Sequence, residues 1–222
     1  MSETILITAP LLMKGLWLTI KISMWTVALG SFLGFVIGLI RASRLKILKA
    51  ALGVYIHCLR GTPFLVQLYL IYFVLPATGV EWLKFEAFPA AVIALSLYTS
   101  TYVSEIVRAG IEAVPKGQVE AARALGMSKW QTLGHVILPQ ALKLMIPPMT
   151  GVYVLIIKGT SVVSVIGITE LLRAGEQAAL RYPSELMTLY GLVALLYFVY
   201  CYPVLRLGRW AETKFGRIEN SL

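Results

Sequence analysis

Long apolar runs separated by short basic or polar segments dominate this chain. The runs cover residues 16–40, 55–75, 90–111, 142–157 with 162–168, and 186–207. A bilayer core of about 30 Å needs about 20 helical residues, so the pattern predicts an all-α, polytopic helical bundle with five transmembrane spans. The runs are continuous rather than alternating, which argues against outer-membrane strands. Residues 1–14 read as an N-terminal tail, 15–207 as the membrane domain and 208–222 as a C-terminal tail. The first 15 residues lack the pattern of a cleaved signal, so span one is expected to insert uncleaved.

One stretch breaks the apolar pattern. Residues 120–139, EAARALGMSKWQTLGHVILP, read as an amphipathic, water-facing hairpin between spans three and four. Its first helix is expected over about 118–125, stopping at Gly126, a usual residue just past a helix C-terminus. The second starts at Ser128 with Gln131 three positions on, a capping box, and is expected to end near Pro139.

Each span carries its own signal. Gly30, Gly34 and Gly38 recur at four-residue spacing on one face of span one, and small residues so placed let helices approach closely. Arg60, Gly61, Thr62 and Pro63 mark a structural bend near the inner end of span two. Span three carries Ser96, Thr99, Ser100, Thr101 and Ser104 with Tyr98 and Tyr102, residues that bond across helices or line a polar path. Span four contains Pro147, Pro148 and Gly151 and is followed by Lys158, Gly159, Thr160 and Ser161, the pattern of a broken helix lining a transport site. Residues 169–185 are mixed and read as an outer, surface-lying helix and loop.

Charge gives an orientation. Arg41, Arg44, Lys46 and Lys49 follow span one without an acidic residue, which places that loop in the cytoplasm and the N-terminus outside. The hairpin and the C-terminal tail then fall inside. The net charge of +9 is explained by these loops, so nucleic acid is not expected as a partner. Only 14% of residues are charged and mean hydropathy is +0.78, against about 25% charged in soluble domains. Cys58 and Cys201 lie far apart in apolar surroundings without metal spacing and read as small buried hydrophobes. The sequence contains no Asp and no GxxxxGK[ST] loop, so neither ATP hydrolysis by the chain itself nor a bound metal or other cofactor is expected.

The hairpin also carries a resemblance. Glu120, Ala121, Ala122 and Gly126, then Val136, Ile137, Leu138 and Pro139, resemble the EAA loop (residues 117–139 here) of bacterial binding-protein-dependent ABC importer permeases. Val136 stands where the family pattern has Ile. Residues 60–67, RGTPFLVQ, resemble the RGTPxLVQ segment of the polar amino acid permeases of histidine, glutamine and glutamate type. Residues 115–118 and 158–167 are similar to that group too.

The resemblance implies a type I importer fold in a bacterial plasma membrane. The implied partners are two ATP-binding cassette subunits that carry the ATP, a second permease subunit, an extracytoplasmic amino acid-binding protein and membrane lipid. In the implied mechanism the hairpin seats in the ATP-binding subunit, where Glu120 offers charge, Ala121 and Ala122 allow close approach and Gly126 permits the corner. Lys158 is expected to face a substrate carboxylate, helped by Thr160, Ser161 and the N-terminus of a half-helix starting there, with Tyr98 and Thr101 as further path residues. Lys158 snorkelling to the outer interface stays open as an alternative. Gly159 replaces the group's usual acidic residue, which weakens a cationic substrate or else changes only backbone geometry. The rival reading is a proton-coupled secondary transporter using Glu105, against which Arg108 one turn away offers an ion-pair partner.

Overall fold

The computed structural model describes residues 2–43 and 45–215, helical apart from short connections and without strands among those residues. The order is α1 (Ser2–Ala42), α2 (Lys46–Gly61), α3 (Phe64–Tyr69), a π turn Leu70–Val74, α4 (Leu75–Ala77), α5 (Ala87–Glu112), α6 (Lys116–Ala124), α7 (Lys129–Gln131), a π turn Thr132–Ile137, α8 (Leu138–Gly159), a 3-10 segment Thr160–Ile166, α9 (Leu171–Arg181) and α10 (Leu186–Phe215). Arg44 and the last residues of the C-terminal tail, Arg217 and Glu219 among them, lie outside the described residues, as does Met1.

The glycine stripe of span one lies in the most extensive helix–helix contact among the described residues, that of α1 with α5. A Cβ on Gly30, Gly34 or Gly38 would sit 2.7, 2.6 or 2.5 Å from the Cβ of Thr99, Val103 or Val107, and the carbonyls of Ser96, Ser100 and Ser104 are as close as 3.1, 2.9 and 2.8 Å. Backbones this near gain dispersion and Cα–H···O contacts that larger residues would forbid. Residue numbers rise together along the contact, so α1 and α5 cross in the same direction. The chain must therefore return between them, and the bent pair α2 with α3–α4 supplies that crossing. Four helices are long and apolar enough to span, and this pair, bent by 106°, makes the fifth.

Four expectations change. Residues 2–14 are not a tail but the start of α1, because Leu11, Leu12 and Leu16 form an apolar face that packs on Leu171, Ala174 and Val193. The second hairpin helix does not end near Pro139. The Leu138 N–H reaches back to the Leu133 carbonyl, a widened turn that admits Pro139, which has no N–H to donate. The helix therefore continues as span four, and residues Lys129–Ile166 form one rod. Pro147 and Pro148 lie inside α8 without breaking it. Residues 208–215 extend α10 rather than beginning a tail.

Cys201 is buried against Val154 and Ile157, whereas Cys58 is exposed, because α2 buries little besides Ile56. We expect Gly34→Leu to lower stability by about 1–3 kcal/mol through overpacking, read as a lower thermal midpoint in detergent. Gly53→Ala, where an added Cβ meets nothing within 4 Å, should be neutral or gain roughly 0.5–1 kcal/mol.

Candidate functional site

The hairpin is built by two local devices. α6 ends in a Schellman motif: the Met127 N–H bonds to the Ala122 carbonyl at 3.1 Å and the Gly126 N–H to the Arg123 carbonyl at 2.9 Å. Gly126 has φ +79, a left-handed conformation that only glycine adopts without cost. An added Cβ would meet nothing within 4 Å, so the constraint is conformational rather than steric. The capping box is present: Ser128 Oγ accepts from the Gln131 N–H at 3.3 Å and Gln131 Oε1 accepts from the Ser128 N–H at 2.8 Å.

The hairpin's outer surface presents Glu120 and Ala121, both exposed. Ala122, expected to face a partner, is buried at 3%, because it lies on the face of α6 that packs inward. Leu138 is half-buried and Pro139 exposed. The pattern reading missed Leu125 and Trp130, 83% and 82% exposed on either side of the corner. The signal was available: an aromatic residue and a leucine beside a turn, in a segment otherwise polar.

The expected path residues separate into two places. Arg60, Thr101, Tyr98 and Tyr102 come together where span two bends. Arg60 Nη2 donates to the Thr101 carbonyl at 2.8 Å, its guanidinium lies 4.5 Å over the Tyr102 ring, and the Tyr98 and Tyr102 hydroxyls are 2.8 Å apart. The bend is not near the inner end of the bundle, as expected, but against the middle of α5. Tyr55 also bonds there, 2.8 Å from Ser100 Oγ, and Phe64 packs on Tyr98. Gln67, which the motif contained without an assigned role, staples the break: its amide donates to the carbonyls of Leu59 at 2.6 Å and Thr62 at 3.1 Å. Those carbonyls would otherwise be left without partners by the interruption. The span-three hydroxyls mostly bond to their own helix, Thr101 to Tyr98 and Ser104 to Thr101.

Lys158 and Ser161 lie elsewhere, on a cavity of about 540 Å³ shared with Leu172 of α9 and Tyr197 and Cys201 of α10. No half-helix begins there. The Thr160 N–H bonds back to the Ile156 carbonyl and the 3-10 segment continues the helix to Gly167, φ +88. This is a helix C-terminus, so its dipole favours the Lys158 cation rather than a substrate anion. Thr160 is fully buried and donates to the Ile157 carbonyl. Gly159 is helical, φ −63, with open space where a Cβ would stand. An acidic residue would fit there, so the departure changes chemistry and not geometry.

Glu170 was read only as part of a mixed outer segment, yet it is fully buried. It caps α9, accepting from the Leu172 N–H at 3.0 Å, the Arg173 N–H at 2.8 Å and the Tyr197 hydroxyl at 2.8 Å, while the Leu171 N–H bonds to Thr19. Burial pushes its carboxyl above the usual range, and these donors pull it back.

Glu105 is held from two helices: Arg41 of α1 approaches at 2.5 Å and Arg108 pairs with it from the next turn. Arg108 also pairs with Glu112. Such a carboxylate is structural rather than poised for proton uptake.

Residues 30–216 match the family described as binding-protein-dependent transport system inner membrane component. The chain belongs to that family. Among the permease's relatives are the L-cystine transport system permease TcyB of Bacillus subtilis (strain 168), 38% identical over 87% of this chain and 81% of the relative, and the glutamine transport system permease GlnP of Escherichia coli (strain K12), 39% identical over 76% of each. A crystal structure of an amino acid ABC transporter with histidines superposes with TM-score 0.85 at 36% identity, covering 96% of this chain and 97% of that one. The MetNI methionine transporter matches at TM-score 0.71 and 20% identity, covering 90% and 96%, and shares the fold. Membership favours the permease over the proton-coupled carrier, in agreement with the Glu105 geometry.

We expect Gln67→Leu to destabilise the permease by about 1–3 kcal/mol, since the Leu59 and Thr62 carbonyls lose their donor. The same change at exposed Gln118 should be within ~0.5 kcal/mol of wild type. Thermal midpoints in detergent check both.

Proposed function

We propose that the protein forms the translocation path for a polar amino acid in an ATP-driven importer and receives the energy through its hairpin. The observation that carries this reading is the unbroken helix from the Ser128 cap to Ile166. Its rise is roughly 57 Å at 1.5 Å per residue, so a displacement of the corner is a displacement of span four. Two ATP-binding subunits would seat the hairpins of two permease subunits, with Glu120 as charge contact and Ala121, Leu125 and Trp130 as the approach surface. ATP stays on those subunits. An extracytoplasmic amino acid-binding protein would deliver the substrate. The charge pattern supports an inner membrane orientation with the N-terminus outside and the C-terminus in the cytoplasm. The relatives named for cystine and glutamine support the substrate class.

In proteoliposomes holding the full assembly, uptake should require ATP and resist a protonophore. Gly126→Val forces a β-branched residue to φ +79, at a cost of about 1–2 kcal/mol, and distorts the corner. ATP hydrolysis should persist while uptake falls at least tenfold. Normal uptake by a well-assembled Gly126→Val complex would sink the coupling role.

A further inference from the structure

We propose that Arg60 is a substrate-binding residue that takes the α-carboxylate of the transported amino acid at mid-membrane depth, an inference that rests on the importer reading above. Thr101, its partner, is near the centre of Ala87–Glu112, about 2 Å along the axis from the midpoint at 1.5 Å per residue. A cation at that depth is costly unless it is paired or functional. Among the described residues no carboxylate forms an ion pair with Arg60, unlike Arg41, Arg108 and Arg173. Its Nε and Nη2 donate to Thr101, which leaves Nη1 and one edge of the planar fork uncommitted. That edge matches a carboxylate.

Arg60 also faces somewhere a substrate can go. It stands at one end of an open groove of about 520 Å³ lined by Tyr102, Glu105, Ala113, Leu144 and Pro148. Gly110 of α5 packs on Met145 of α8, so the groove follows these two helices from mid-depth at Arg60 to the end of α5 at Ala113. Arg60 therefore recognises the part common to all amino acids, and side-chain choice lies elsewhere.

The test uses the purified assembly of this permease with its ATP-binding subunits. The probe is whichever amino acid wild-type proteoliposomes, supplied with the binding protein, accumulate from a mixture of protein L-amino acids and L-cystine. Equilibrium binding of that amino acid and of its methyl ester is then measured on the assembly without the binding protein. Wild type should prefer the acid. In Arg60→Gln, the acid's Kd should rise about 10- to 100-fold, the loss of a charged hydrogen bond, while the ester's Kd stays put and the acid-over-ester preference collapses.

A purely structural role for Arg60 would move both constants together, and an unchanged preference overturns the inference. So does a wild-type assembly that imports yet binds neither probe. If Arg60→Gln fails to assemble, Arg60→Lys carries the test: losing the fork should weaken the acid several-fold and leave the ester alone, and an unchanged acid Kd is again fatal. Wild-type proteoliposomes that accumulate no amino acid with ATP overturn the importer reading itself, and the inference with it.

Discussion

Everything in this bundle is placed relative to the contact between α1 and α5, where three glycines bring two backbones together. In lipid there is no hydrophobic force between helices, so association depends on packing and on polar contacts. Gly30, Gly34 and Gly38 supply the packing. At one end of the stripe Arg41 and Glu105 tie the same two helices by charge. At the other, Gly15 lets α9 approach within 2.8 Å of where its own Cβ would be. The result is a stiff two-helix spine. Span four packs on it through Gly110, and span five packs on span four through Gly208. Span two is the exception, since it touches the spine mainly around its bend.

That arrangement divides the molecule mechanically. The hairpin joins the spine to span four: α5 runs through Val114 and Pro115 into α6, and the Gly126 corner turns directly into the long helix that begins at Ser128. In the proposed coupling, a push at the corner would be carried into span four along this continuous helix. The groove with Arg60 lies between the spine and span four. Relative motion of α5 and α8 would change its width, which on the proposed reading links the hairpin to the groove without any intermediate element.

Much of this was legible in the sequence where the determinant is local. Capping at Ser128, the stop at Gly126 and the glycine stripe depend on a few neighbouring residues, and the structure has all three. Helix breaks were less legible. Pro147, Pro148 and Gly151 resemble a break yet lie in a continuous helix, since a proline inside a packed membrane helix can be accommodated by neighbours. The real interruption is Gly61 to Pro63, read correctly as a bend but placed too near the inner end, because its depth is set by Tyr55, Arg60 and Phe64 meeting α5. Glu170 was hidden for a related reason: its burial depends on Thr19 and Tyr197, remote in sequence.

The charge balance of the groove follows from the same contacts. Glu105 lines it, but Arg41 and Arg108 already neutralise that carboxylate. Among the described residues Arg60 meets a neutral carbonyl, a hydroxyl and a ring face, none of which cancels its charge. The uncommitted field at mid-depth is therefore positive, and in a low-dielectric setting it acts strongly over short range. On the proposal made for Arg60, a zwitterion entering the groove would orient with its carboxylate towards Arg60 rather than towards Glu105, whose charge is already met by Arg41 and Arg108.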